Sequence, residues 1–397
     1  MSGHAGVGAY LYPWDAVGDP ACPDRIAGLG ADRVVLAAAY HSVRALSSSH
    51  PSRKVVTANH SAVYYQPDHE KWHGRAVQPT VASWAPGSFH QAARALQGAG
   101  LDVYAWVVLT HNQRLGTLHP DIAVTNAFGD RYPWALCAAN QLVREYCTTL
   151  ASEIAALPEI GGLELEACGW FGFEHLHAHD KTGANAMPAW ARDLLSLCFC
   201  DACEIEIADV GLNPTRMRDA VRSALAPVFA GEADHGPAIE GFEDELDALH
   251  ALRAGAADRL RAEVIAEVRA ARPHLPVLLH THPDPRRVGS NAGADCATLF
   301  AESAGTVLQC WPPLEQSLGL VTAASAAAGK VPGRPPIAAS LLAVRTMGGR
   351  MDTLADEAVA LRAAGASELR FYHAGLASGG DLRAMREAAA AWTEAAL

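Results

Sequence analysis

The sequence lacks most of the features that mark a secreted, membrane-spanning or nucleic-acid-binding chain. Basic residues are the minority, 31 Lys and Arg against 43 Asp and Glu, and a formal net charge of −12 repels the phosphates of nucleic acids and anionic membranes. A neutral or cationic small molecule fits better as a partner, and neither nucleic acid nor membrane is expected. The stretch MSGHAGVGAYLYPWDAVGD has no basic segment followed by an apolar one, and no uninterrupted apolar run approaches ~20 residues. Neither export nor a membrane span is expected, and the chain is assigned to the cytoplasm. The nine cysteines are odd in number and lack the dense spacing of a disulfide scaffold, so they are read as reduced thiols. Also missing is a Gly-rich phosphate loop after the first apolar run, where the chain reads YPWDAVGDP. That absence argues against a doubly wound nucleotide-binding sheet.

What is present is a large core. Half of the residues are hydrophobic and 19% are charged, which excludes disorder. Eight short apolar runs recur along the chain, most of them followed by an Ala-rich helical segment. They are AYLYPW (residues 9–14), RVVLAAAYH (33–41), DVYAWVVLTHN (102–112), GLELEACGW (162–170), PVLLHTHPD (276–284), GTVLQCW (305–311), PIAASLLAV (336–344) and ELRFYHAG (368–375). Helical periodicity marks SFHQAARALQGAG, NQLVREYCTTLASEIAAL and DRLRAEVIAEVRAARP, which precede the third, fourth and fifth runs. Strands alternating with helices in this order predict an α/β fold, a (β/α)8 TIM barrel in a single domain over residues 1–397. Two connections are long, an insertion at 42–86 after strand 2 and one at 171–243 after strand 4. Both follow strands, on the face where barrel enzymes keep their sites, and are expected to enclose a substrate. The aromatic stretch SAVYYQPDHEKWHG in the first either stacks on a sugar or packs on itself.

Strand 4 carries the strongest chemical signal. Side chains alternate along a strand, so in Leu163-Glu164-Leu165-Glu166 the leucines share one face and the carboxylates the other. With the leucines turned to the helices, both glutamates point into the barrel, where a charge is costly unless paired or used. Glu166, nearer the mouth, is the catalytic candidate, and Glu164, one layer deeper, supports it. Strand 5 places His280, His282 and Asp284 at spacing two. Other strand ends contribute Tyr12, Trp14, His41, Trp106, His111, Trp311, Tyr372 and His373 as substrate-binding candidates. In the second insertion His175, His177 and His179 alternate with Glu174 and Asp180 as a metal cluster, a binding lip or a solvated loop. Cys198, Cys200 and Cys203 can converge on a tetrahedral zinc with a fourth ligand from elsewhere, or remain unlinked thiols at a helix end; either way they concern stability.

The segment HPDIAVTNAFGDRYPWALCAANQLVREY, followed by GLELEACGWFGFEHLHAHDK, resembles the glycosyl-hydrolase-like (β/α)8 proteins. The matching residues are Pro120, Asp121, Asn140, Val143, Arg144, Glu145 and Tyr146, then residues 162–166, about a fifth of the chain. The resemblance implies a strand-4 carboxylate at Glu166 and a small-molecule carbohydrate substrate, and short Cys clusters of this kind look like structural zinc sites of some barrel glycosidases. Strand 7 departs from the pattern because PIAASLLAV has no acid, so a second carboxylate would be Asp284, Glu174 or Asp180. A glycosidase with Glu166 and Asp284 needs no cofactor for catalysis. The alternatives are a metal-dependent hydrolase or sugar isomerase using Glu166, His280 and His282, disfavoured by the missing His-x-His on strand 1, and a non-catalytic sugar-binding barrel. A homo-oligomer is compatible with all three.

Overall fold

The computed structural model describes residues 6–174, 181–182, 187–232 and 240–395. Eight parallel strands form its centre: β1 (Val7–Leu11), β2 (Arg33–Tyr40), β3 (Asp102–Val108), β4 (Gly162–Glu166), β5 (Val277–Thr281), β6 (Gly305–Gln309), β7 (Ile337–Leu342) and β8 (Glu368–Tyr372). Each pairs with the next and β8 pairs with β1, so the sheet closes into the expected barrel. A helix precedes every following strand: α1 (Cys22–Ala27), α2 (Ser88–Gly98), α3 (Gln141–Ala155), α4 (Glu243–Ala271), α5 (Cys296–Glu302), α6 (Leu314–Ala328) and α7 (Leu354–Ala363), and α8 (Gly379–Glu394) closes the ring. The strands are apolar on both faces because helices cover one and the filled lumen covers the other. Leu163, Leu165 and Leu279 join helix residues such as Val143, Leu150, Leu260 and Val264 in one core.

The strands end earlier than the apolar runs suggest. At strand 1 the ladder stops at Leu11, and Pro13 opens a one-turn helix, Pro13–Ala16, carrying Trp14 out of strand register. At strand 5 it stops at Thr281; Pro283 and Pro285 cannot donate to a ladder, so the alternation expected to bring Asp284 to the mouth ends before that residue. Strand ends stay apolar because they pack under the mouth loops, which is why composition overstates their length.

Beyond β2 the chain forms a hairpin, Val43–Leu46 with Val55–Ala58, and then a short strand, Ala62–Val63, antiparallel to β2. Tyr64, Tyr65 and Trp72 are buried, and the Tyr65 hydroxyl and Trp72 indole both donate to Glu153 on α3, at 2.6 and 2.9 Å. Tyr65 and Trp72 of the aromatic stretch are therefore packed down onto α3. After β4, helices Ala189–Leu195, Asp201–Asp209 and Pro214–Phe229 build a second, smaller core containing Leu194, Phe199, Val221 and Leu225. The 29-residue α4 ties the two together: Leu246 and Leu249 belong to the small core, Leu260 and Val264 to the large one.

Candidate active site

Inside the barrel, side chains stack in layers set by strand register. Tyr104, Leu278, Val307 and Ala338 fill the lower layer with carbon. Above it lie Tyr10, Trp106, Glu164, His280 and Arg370. The top opens on a cleft of about 900 Å³ at the C-terminal ends of the strands, whose lining includes Tyr12, Tyr40, Trp106, Glu166, Trp311 and Tyr372.

Glu166 ends β4 and is only 6% exposed. Its two carboxylate oxygens accept one hydrogen bond each, from the Trp106 indole and the Ser290 hydroxyl, both at 2.8 Å. The carboxylate is thus fixed in orientation while each oxygen keeps a lone pair for a ligand. The backbone turns sharply just after it: Ala167 has φ +52°, a left-handed conformation that costs a residue with a side chain on the order of 1 kcal/mol. Thr110 holds that turn, its hydroxyl donating to the Ala167 carbonyl at 2.8 Å. Strained backbone beside a buried, oriented carboxylate is typical of a working site.

Glu164, one layer down and fully buried, has a different role. It accepts from the Tyr10 hydroxyl at 2.7 Å and from Arg370 Nε at 2.9 Å, and His280 Nε2 lies at 3.4 Å. Burial alone would raise its carboxyl, but Arg370, then His280 and Tyr10, pull it down to about 2. Tyr10 in turn is pushed well above its ordinary value, first by burial and then by Glu164. With its own proton directed to Glu164, the Tyr10 oxygen, 3.2 Å from His280 Nε2, is an acceptor. Both neighbours of Nε2 therefore accept, which places a proton on His280 Nε2. Arg370 was not anticipated from the sequence, although it shares a face with Tyr372. Its register partner on β1 is Gly8, where a Cβ would come within 2.6 Å of Arg370 Cδ. The glycine makes room for the guanidinium.

The remaining candidates divide. His41, Trp106, His280, His282, Trp311 and Tyr372 line the cleft with Glu166, as does Tyr12. Burial lowers the His282 pKa from its ordinary value, with Arg287 adding to the effect. Burial holds the Tyr372 phenol up at about 12. Trp14, His111 and His373 are buried behind this surface. Trp14 stacks on Tyr12 at 4.5 Å, His111 stacks on Phe171 at 4.4 Å, and His373 stacks on Tyr12 at 4.2 Å. Neither His373 ring nitrogen has a hydrogen-bond partner, and burial depresses its pKa to about 3, so the ring is neutral. Asp284 is exposed and its carboxylate accepts from the Arg286 amide at 2.9 Å in a turn; the cleft lining does not include it. Glu174 does line the cleft, paired with Arg192 at 3.1 Å. His175, His177, His179 and Asp180 lie outside the described residues.

Among the described residues, the one group of three or more side chains whose ligand atoms converge as a metal would require is Cys137, Cys198, Cys200 and Cys203, their sulfurs all within 4.8 Å of one another. Glu166, His280 and His282 are not such a group. Cys137, in the loop before α3, supplies the fourth thiol of the group, a position that the spacing of the other three left open. Four sulfurs around a tetrahedral zinc at about 2.3 Å stand roughly 3.8 Å apart, and Cys137 Sγ and Cys203 Sγ are 3.5 Å apart. The amides of Thr125 and Cys200 donate to Cys198 Sγ, both at 3.4 Å, a second shell suited to a thiolate. The donor set fits zinc.

No protein-family model and no curated protein sequence matches the chain. Solved structures do. An alpha-L-fucosidase isoenzyme 2 from Paenibacillus thiaminolyticus aligns with a TM-score of 0.57 at 12% identity, over 96% of this chain and 48% of that one. A beta-galactosidase from Rahnella sp. R3 gives 0.57 at 13% identity, over 100% and 57%. A beta-galactosidase from Bacillus circulans sp. alkalophilus gives 0.57 at 12%, over 97% and 55%. The likeness is one of fold, the closed (β/α)8 barrel. The chain spans about half the length of the proteins it aligns with. No helix among the described residues is long and apolar enough to cross a membrane.

Proposed function

We propose that the protein is a glycoside hydrolase acting on a small-molecule glycoside, with Glu166 as the carboxylate that meets the reacting bond. The observation that carries the reading is Glu166 itself: an acid at the end of β4, oriented by Trp106 and Ser290, on an aromatic-lined cleft. A merely structural glutamate would be closed off by its partners, as Glu164 is. In such a reaction one carboxyl group protonates the departing oxygen while the other attacks the anomeric carbon or deprotonates water. Glu174 is the complementary carboxylate because it lines the same cleft, whereas Asp284 does not. Tyr40, Trp311 and Tyr372 offer ring faces to a sugar, and His280 and His282 offer polar contacts to its hydroxyls.

The same reading makes the chain one barrel domain with two insertions, working in the cytoplasm on a carbohydrate without a catalytic cofactor. Cys137, Cys198, Cys200 and Cys203 would hold a structural zinc that fastens the second insertion to the loop before α3.

The test is a panel of p-nitrophenyl glycosides, α-L-fucoside and β-D-galactoside included, with Glu166→Gln as control. Hydrolysis by the wild type and a loss of about 10²–10⁴-fold in kcat for the variant are expected, with unchanged circular dichroism. Full activity in Glu166→Gln would refute the assignment; sugar binding without any turnover by the wild type would favour a non-catalytic barrel.

A further inference from the structure

The cleft has two unlike sides. Toward β4 and β5 its lining is polar, with Glu166, Glu174, His282, Ser290 and Asn291. Across the barrel, where the hairpin after β2 meets the loops after β7 and β8, the lining is Leu46, Val344, Met347 and Leu376, interrupted by Arg44 and Thr346.

These segments make one continuous wall. The Ser48 and Ser49 hydroxyls donate to the carbonyls of Leu376 and Ala377, both at 3.4 Å, and the Arg345 amide donates to Asp381 at 3.3 Å. From below, buried Asp15 accepts from the Ser47 hydroxyl at 2.7 Å and from the Tyr12 amide at 2.8 Å. Gly375 leaves the space for it, since a Cβ there would fall 1.8 Å from Asp15 Oδ2. On this anchored wall, large apolar side chains face water: Leu46 is 57% exposed and Met347 42%. Val55, the register partner of Leu46 across the hairpin, is 59% exposed. A cluster of exposed carbon beside a reaction cleft is stable in water only at a cost that a covering ligand removes.

We propose that this wall is an aglycone subsite, and that the preferred substrates are glycosides of an apolar alkyl or aryl group. The sugar ring lies against Glu166 and the polar side; the departing group lies along Leu46, Val344, Met347 and Leu376. The inference rests on the glycosidase reading of Glu166. A further sugar in place of the apolar group would set its hydroxyls against side chains that offer few partners, and it would lose affinity for that reason.

Full burial of a methylene is worth about fourfold in affinity, so one lying on a wall with its other side wet is worth about twofold, and four of them about sixteenfold. The probes are n-butyl and n-octyl glycosides, below micelle formation, of the sugar that the aryl panel selects, or of D-galactose and L-fucose if it selects none. kcat/KM is measured on the wild type, and Kd by calorimetry on Glu166→Gln. The octyl compound should exceed the butyl by about sixteenfold in both, and Leu46→Ser with Met347→Ser should bring the ratio to about fourfold or less. Equal values for the two chain lengths overturn the subsite, even where hydrolysis stands. Tighter octyl binding, lost in the serine variants, supports the subsite even where no glycoside is hydrolysed, and then only the enzymatic reading fails. If the serine substitutions change the sedimentation coefficient and leave the ratio intact, the wall is a contact between copies of the chain and the proposal is wrong.

Discussion

Arg370→Met tests whether the charge inside the barrel is a matched pair. The guanidinium is fully buried and divides its donors between Glu164, Glu368 and the Leu369 carbonyl. Glu368 keeps a second cation, Arg33, at 2.9 Å, so the loss falls on Glu164. Removing one partner of a buried pair costs about 3–5 kcal/mol. The pH dependence gives an independent magnitude. A carboxyl held at about 2 instead of 4.5 contributes about 3 kcal/mol at neutral pH. Because the folded pKa is depressed, that contribution is complete above 4.5 and is lost as pH falls toward 2. Urea unfolding at pH 7 should therefore show a deficit of about 3–5 kcal/mol, narrowing by about 1 kcal/mol at pH 3.5 as the wild type begins to lose the same term. Adding Glu164→Gln, which still accepts from Tyr10, should recover part of the loss and flatten its pH dependence. An Arg370→Met protein within 1 kcal/mol of wild type, or one with the wild-type acid slope, would refute the argument.

The buried His373 gives a second pH signature of distinct window. Its folded pKa of about 3 lies below the unfolded value near 6.5, so stability is lost as pH falls from 6.5 toward 3, by about 2 kcal/mol at pH 5. His373→Phe, which keeps a ring on Tyr12, should lose less on acidification between pH 7.5 and 5; parallel melting curves would contradict the neutral assignment. Elemental analysis of untagged protein should find one zinc per chain, and Cys137→Ser should lose it and lower Tm by several degrees. Metal-free protein with the wild-type Tm would exclude a zinc clasp.

The barrel was legible because its signal is repeated: eight apolar runs recur, most of them followed by an Ala-rich helical segment, so errors at single boundaries do not disturb the count. Boundaries were less legible, since residues beyond each strand are as apolar as the strand itself. At strand 4, alternation alone turned both glutamates inward, and the geometry agrees, but only coordinates separate their fates: Glu164 is saturated by Arg370, Tyr10 and His280, whereas Glu166 keeps an open side. At strand 5 the same alternation failed because two prolines end the ladder before Asp284. Contacts across the sequence were hidden altogether. Ser290 reaches Glu166 from the loop after β5, and Cys137 joins a cluster 61 residues further on. Neither sits in a local pattern that could have revealed it. Arg370 could have been found by applying to β8 the same face argument that worked for β4.

The polar network deep in the lumen joins β1, β4, β5 and β8 through Tyr10, Glu164, His280 and Arg370, while Leu46 and Met347 hang from loops fastened mainly through serine hydroxyls and main-chain atoms. Rigidity and the proposed aglycone preference therefore reside in different layers of the molecule. Side chains at the rim can be exchanged without disturbing the charged plug beneath them, so laboratory evolution of new preferences should begin at positions 46 and 347 and leave the interior untouched.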